Sequence, residues 1–411
     1  MTDASLADRR PLATPRPAPR VSRLATLAVI VAVLALSAFV DRSSQGHPGP
    51  GAASASAASA SAAVAATAMA VAAPAAALSS SWFCAGPVAT PAHVADGRLL
   101  IANIGSRALS GNVRLVPSTG PSVSQPVLIP AQSRLVVAEK IPSSAPYLGA
   151  VVDLDGGQAT VQQVVSGALG TSSTACANTG STTWYFPAGT TQESSTLSIS
   201  LLNPYPGDAI ADLSFTTEQG QESPQDFQGV IVPAGAVVGL DLGSHLRGRA
   251  SVATAVSLRV GRVVAFETQA VLAQSQAAAA TAPPGTVAWP PGVSVVRGAP
   301  SAGNSWWWPG GAAGDGTSEQ YMIYNPGRTT AQVALAIDLD QGSADPFQVS
   351  VEPRGVAVVA TNGESRIPKG TGHGATLHST NGVGVVALRL VLATSPAAQT
   401  GVAEVLGSRL A

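Results

Sequence analysis

Three aromatic clusters, Trp82-Phe83-Cys84, Trp184-Tyr185-Phe186 and Trp306-Trp307-Trp308, each open a stretch with the same succession of landmarks, and this repetition restricts the chain to a tandem architecture. An apolar run ending in Asn follows each cluster, LLIAN at Asn103, SISLLNP at Asn203 and YMIYNP at Asn325, at intervals that agree to within two residues. Asn, twice followed by Pro, ends a strand in a turn. Alternating segments come next: Val113/Leu115, Ala211/Leu213/Phe215 and Val333/Leu335/Ile337/Leu339. A period of two sends those apolar side chains to one face of a strand. Each copy then meets a Pro turn at Pro130, Pro233 or Pro353 and closes with a β-rich hairpin around Asp155-Gly156, Arg259 to Gly261 or Asn381-Gly382.

Repeats of about one hundred residues with some seven short strands have the size of an immunoglobulin-like β-sandwich, whereas a propeller needs shorter and more numerous blades. The expected fold is all-β: three tandem immunoglobulin-like β-sandwich domains after a single N-terminal transmembrane helix. The expected boundaries are 79–180, 181–275 and 304–395 for the sandwiches. A Pro/Gly-rich linker is expected over 276–303 and a C-terminal tail over 396–411.

The first part of the chain has a different character. Residues 24–40, LATLAVIVAVLALSAFV, carry no charge and reach the lower limit for a bilayer span. Arg9, Arg10, Arg16, Arg20 and Arg23 precede that run, so 1–23 is expected as a cytoplasmic basic tail and everything after Val40 as exported. The alternative is a cleavable signal peptide cut near Ala35-Leu36-Ser37, which would make the protein secreted instead of anchored in the plasma membrane. A second apolar run at 62–78 is mostly Ala and is interrupted by Pro74. Residues 41–78 read as an Ala/Ser/Pro-rich spacer whose small side chains cannot build a core.

Only 11% of residues are charged and the formal net charge is -1, which leaves no basic field for nucleic acid. The two cysteines, Cys84 and Cys176, lie beyond the spacer in no metal-like spacing. Export makes a disulfide the economical reading, with two buried free thiols as the alternative.

The segments WYFPAGTT, LSISLLNP, VIVPAG and VVAFETQAV resemble the bacterial surface repeat that runs WYF-x-G-T, NP, VPAG, VVAE. The layout resembles an actinobacterial domain-of-unknown-function family of membrane-anchored secreted proteins, over roughly 79–395 and most closely in the second copy. The first copy departs by lacking the NP pair and by placing Cys84 where Phe186 and Trp308 stand. The resemblance implies an immunoglobulin-like sandwich and carries no catalytic residues or cofactor. A location beside envelope glycosyltransferases is the one further hint it supplies.

The sequence holds no GxSxG elbow, HExxH pair or GxxxxGK[ST] loop, so no enzyme and no cofactor is expected. His373 and His378 are five apart in a Gly-rich context that reads as a solvated loop, and no metal site is assigned to them. Asp153 with Asp155, and Asp338 with Asp340 followed by Asp345, could form a calcium corner, but without the full ligand series of a calcium loop they read as polar strand ends. In the aromatic clusters, alternation sends the first and third side chains inward and the middle one outward. Phe83, Tyr185 and Trp307 are therefore the candidate glycan-stacking rings. The function expected is a non-catalytic, membrane-anchored cell-envelope protein displaying structural or protein-interaction modules, with a glycan-binding accessory role in envelope polysaccharide assembly as the alternative. Its partners are the cell membrane through 24–40 and an envelope protein or glycan.

Overall fold

The computed structural model describes residues 70–88, 96–140, 145–272, 289–312, 314–368, 370, 372–394 and 400–409. The cytoplasmic tail, the membrane-spanning run and the spacer up to residue 69 lie outside the described residues. The described part is all-β, with six antiparallel sheets of four or five strands, consistent with tandem β-sandwiches.

The first sandwich holds β1 (Ser80–Val88), β2 (Asp96–Asn103), β3 (Leu109–Pro117), β4 (Val123–Ile129), β5 (Ser133–Glu139), β6 (Tyr147–Leu154), β7 (Ala159–Gly167) and β8 (Gly170–Ala175). Its sheets run β1-β6-β3-β4 and β5-β2-β7-β8. The second holds β9 (Thr183–Phe186), β10 (Ser195–Leu202), β11 (Ala209–Thr217), β12 (Gly220–Glu222), β13 (Val230–Val232), β14 (Val237–Asp241), β15 (Val252–Val260), β16 (Val264–Val271) and β17 (Gly292–Arg297). Here the orders are β12-β11-β15-β9, with β13 also on β11, and β14-β10-β16-β17. The third holds β18 (Ser305–Ala312), β19 (Thr317–Tyr324), β20 (Ala331–Leu339), β21 (Ser343–Val351), β22 (Val356–Ala360), β23 (Gly372–Ser379), β24 (Val386–Ala393), β25 (Gly401–Leu406) and β26 (Ser408–Arg409). Its sheets run β21-β20-β23-β18-β26 and β22-β19-β24-β25.

Two expectations change. The linker expected over 276–303 contains β17, which pairs along β16 from Phe266↔Arg297 to Val271↔Gly292. The tail expected over 396–411 contains β25, which pairs along β24 from Leu388↔Leu406 to Ala393↔Gly401. Both strands are short apolar runs bracketed by Pro or Gly, a composition that hides a strand until a neighbouring edge is there to receive it. The connectivity also departs from the immunoglobulin order, in which the first strand lies beside the second and the seventh beside the sixth. Here β1 pairs with β6 and β7 with β2, and the other two sandwiches repeat this. Strand number and length are the same for either connectivity, so the sequence pattern alone does not separate them.

The repeated Asn closes one end of each sandwich. Asn103, Asn203 and Asn325 are all buried, at 2%, 0% and 0% exposure. In each, Nδ2 donates to the carbonyl four residues on, at Arg107, Gly207 and Thr329, over 2.7–2.8 Å. The same amide donates across the sheets to Ile129, Val232 and Val351, over 3.0–3.2 Å. Oδ1 accepts from the backbone two residues on, at Gly105, Tyr205 and Gly327. One side chain thus satisfies backbone groups of both its own turn and the opposite sheet, which a buried polar group requires. The first Trp plays a related part: Trp184 Nε1 donates to Val263 O and Trp306 Nε1 to Val385 O, both at 2.9 Å.

Cys84 and Cys176 form a disulfide that ties β1 to the segment just after β8. Both are fully buried among Trp82, Leu99, Val113 and Val152. The described end of the spacer runs along this sandwich, where Ala73 O accepts from Gln158 N at 2.8 Å.

Candidate functional site at the sandwich junctions

The first and third side chains of every aromatic cluster point inward, and Trp82, Cys84, Trp184, Phe186, Trp306 and Trp308 are all at most 2% exposed. The middle rings part company. Phe83 is buried and its ring centroid lies 6.4 Å from that of Tyr205 in the second sandwich. Tyr185 is half-buried and lies 6.2 Å from Tyr324 in the third. Trp307 is 40% exposed. The reading of all three as open sugar-stacking rings is therefore corrected for Phe83 and Tyr185, because each sandwich docks the next one onto that face. Of the three, Trp307 alone stays open to solvent.

The two junctions share a turn and an edge contact, while their ring partners stand at different positions, Tyr205 two residues after the buried Asn and Tyr324 one before it. Gln132, Gly235 and Arg354 occupy the same turn in the three sandwiches and all have positive φ, 51°, 70° and 53°. Gly235 O accepts from Arg114 Nη1 of the preceding sandwich at 3.4 Å, and Arg354 O accepts from Thr216 Oγ1 of its own predecessor at 2.8 Å. At the edge, Ser172 Oγ accepts from Val295 N at 2.9 Å. Ser294 Oγ, at the matching position of β17, accepts from Glu404 N at 3.1 Å. The first junction adds the Tyr147 ring, which lies directly against Gly239, where any Cβ would collide with it. The apolar core of the second sandwich is continuous with Val151 and Val165 on one side and with Met322, Leu388 and Leu390 on the other.

Charged groups sit where the junctions and cores are driest. Gln163, Glu267 and Arg389 take the same register position, opposite Leu99, Ile199 and Tyr321. In the first sandwich Gln163 Nε2 donates to Glu139 Oε1 at 2.9 Å, to Oε2 at 3.0 Å and to Gly86 O. Burial pushes the Glu139 carboxyl up to about 8. At the second junction Glu267 of β16 and Glu404 of β25 are both buried, and among the described residues neither carboxylate oxygen of Glu267 has a hydrogen-bond partner. Burial raises both, Glu404 to about 7, and the charge of Glu404 raises Glu267 further. A dry, unpaired carboxyl group takes up a proton in preference to remaining ionised.

The third sandwich encloses an ion cluster. Glu319 Oε2 lies 2.7 Å from His373 Nε2 and accepts from Thr361 Oγ1 at 3.0 Å, while Oε1 lies 3.5 Å from Arg389 Nη1. A Cβ on Gly311 would come within 2.6 Å of Glu319 Oε1 and 2.7 Å of His373 Nε2, so glycine is what leaves room for this pair. His373 is thus not in a solvated loop: β23 turns it inward and turns His378 outward, where its Nδ1 lies 2.7 Å from Ser305 Oγ. The only advance sign of these sites was a charged residue standing at an inward position of a strand, as in the run VVAFETQAVL.

Three of the four aspartates expected as strand ends or a calcium corner have hydroxyl partners. Asp153 accepts from Ser81 at 2.6 Å, Asp155 from Ser110 at 2.7 Å and Asp338 from Thr376 at 3.3 Å. Among the described residues, no three His, Cys, Asp or Glu side chains are grouped so as to hold a metal ion.

No curated protein matches the chain. Among solved structures, the crystal structure of Thermotoga maritima 1070 aligns with 26% of this chain and 94% of its own, at 18% identity and a TM-score of 0.24. The Anabaena sensory rhodopsin transducer aligns with 22% of this chain and 88% of its own, at 22% identity and a TM-score of 0.20. Both scores are too low to bear on fold or activity. Residues 136–403, more than half of the chain, match a family of unknown function, DUF5719, and the chain belongs to that family.

Proposed function

We propose that the chain is a non-catalytic cell-envelope protein, anchored in the plasma membrane through residues 24–40 with its C-terminus outside, whose stacked sandwiches form one interaction array. Its docking surface is the Trp307 face of the third sandwich, and the occupant is the first sandwich of a second copy. The observation that carries this reading is that one ring position is packed against a following sandwich twice and is left 40% exposed the third time. A heterologous interface that repeats within a chain can be continued between chains.

The first sandwich offers a matching surface. Where Tyr324 meets the smaller ring of Tyr185, it carries the half-buried Ala102, whose small side chain suits the larger Trp307 ring. Val136 is 49% exposed on β5 of the same sheet. Asp338 stands at the position of Thr216 on the donor face, and Arg134 flanks the Gln132 turn on the receiving one. Both are exposed and opposite in charge. The buried carboxyl groups of Glu139, Glu267, Glu319 and Glu404 are out of reach of a polymeric substrate.

The test mixes full-length Trp307→Cys and Ala102→Cys chains under mild oxidation. A covalent dimer is expected from the mixture, above the level given by Trp307→Cys with Leu128→Cys, Leu128 being an exposed residue on a different strand. No excess over that control overturns self-docking. Protection of Trp307 fluorescence by cell-wall polysaccharide in a chain that stays monomeric would put the glycan-binding role in its place. Turnover of an envelope glycan or peptide that one defined residue substitution abolishes would overturn the non-catalytic reading as a whole.

A further inference from the structure

The segment that joins the first sandwich to the second and the segment that joins the second to the third meet at a cleft of about 350 Å³, a volume at the small end of ligand pockets. Arg262 and Arg297 both line it, together with Ser181, Thr183 and Ser301, and no carboxylate is among its lining residues. Arg297 ends β17 and is only partly accessible. Its backbone N–H donates to Thr174 Oγ1 at 3.2 Å, while its guanidinium has no hydrogen-bond or ion-pair partner among the described residues. Burial lowers the Arg297 guanidinium to about 10, so at neutral pH it still carries its charge. Buried charges are ordinarily paired, because leaving a solvent shell without a counter-ion is costly.

The hydroxyl groups narrow the chemistry. Thr183 Oγ1 donates to Pro300 O at 2.8 Å, which commits its proton to the backbone. Ser301 Oγ instead accepts from Arg409 Nη1 at 2.8 Å, so its own proton remains free to donate into the cleft. Two guanidinium groups and the Ser301 hydroxyl, with no acid beside them, form an acceptor-seeking site, and the planar fork of arginine suits a tetrahedral oxyanion. We infer that the cleft bounded by Arg262, Arg297 and Ser301 binds a phosphate group, either as the free ion or as part of an anionic envelope polymer. The site is separate from the Trp307 face and does not depend on self-docking.

The experiment follows thermal unfolding of the full-length chain while inorganic phosphate is titrated against sodium chloride of equal ionic strength. Phosphate is expected to raise the melting temperature saturably and chloride is not. Arg297→Gln is expected to weaken the phosphate response at least about tenfold, and Arg297→Lys, which keeps the charge and loses the fork, to weaken it less. Arg262→Gln is a second variant at an exposed position whose fold is not at stake, and it too should weaken the response. Equal responses to phosphate and chloride, or a phosphate response undiminished in both Gln variants, would overturn the site. A poly(glycerol phosphate) arm separates the two sources: binding tighter than that of the free ion and displaced by it identifies the polymer, and binding of the free ion alone identifies the small anion.

Discussion

Tyr185 and Tyr324 pack ring against ring across the second junction with centroids 6.2 Å apart, and Phe83 repeats the relationship with Tyr205 across the first. Ring pairs in such geometry contribute about 0.5–1.5 kcal/mol beyond area burial. A double-mutant cycle of Tyr185→Ala and Tyr324→Ala, followed by denaturant unfolding, should return a coupling in that range. Strict additivity of the two substitutions would mean that the rings are neighbours without being partners.

Gly239 should be the least tolerant position of the first junction, because the Tyr147 ring occupies the space of its Cβ. Gly239→Leu is expected to separate the first two sandwiches while each keeps its core. Limited proteolysis should then cut between residues 177 and 183 more readily than in the parent chain, and small-angle scattering should report a longer maximum dimension. A variant as resistant as the parent would place the junction's strength elsewhere.

Asn203→Ala removes hydrogen bonds to Gly207 O, Val232 O and Tyr205 N at once and leaves buried backbone groups unpaired. The expected loss is about 2–4 kcal/mol, read as a lower denaturant midpoint. Asn103→Ala and Asn325→Ala should behave alike, since both make the same three bonds, to which Asn103 adds one to Pro130 O.

Stability should fall as pH rises through neutrality. The folded pKa values of Glu139 (about 8) and Glu404 (about 7) lie above the ordinary 4.5, so the folded state holds protons that the unfolded state has already released. Their contribution is favourable at the acid end of that window and is lost as pH climbs through the folded values. Thermal unfolding at pH 5 and pH 8.5 should show the higher melting temperature at pH 5, and Glu139→Gln should flatten the difference. A melting temperature independent of pH in the parent chain would show that both groups ionise freely.

Cys84→Ser opens the tie between β1 and the end of the first sandwich. A closure this long is worth on the order of 4–5 kcal/mol in a chain-entropy treatment. Most of that loss should fall on the first sandwich, visible as hydrogen exchange rising in β1 and β7 before β11 or β20. Uniform exchange throughout would mean that the three sandwiches unfold as one.

The sequence by itself determined the repeat, the strand character of its segments, the inward Trp and the turn-forming Asn, because each of these follows from a local rule: a period of two, or a side chain that bonds its own turn. It also singled out the cysteine pair. Tertiary structure alone decided three things. It made strands of 292–297 and 401–406, whose short runs acquire meaning only beside β16 and β24. It exchanged the partners of the first and seventh strands, which length and alternation leave open. It closed Phe83 and Tyr185 into junctions while leaving Trp307 open, although the three positions are equivalent in sequence. The physical reason is that alternation fixes which face a side chain points to, whereas water or a neighbouring sandwich on that face is a property of how whole sheets stack.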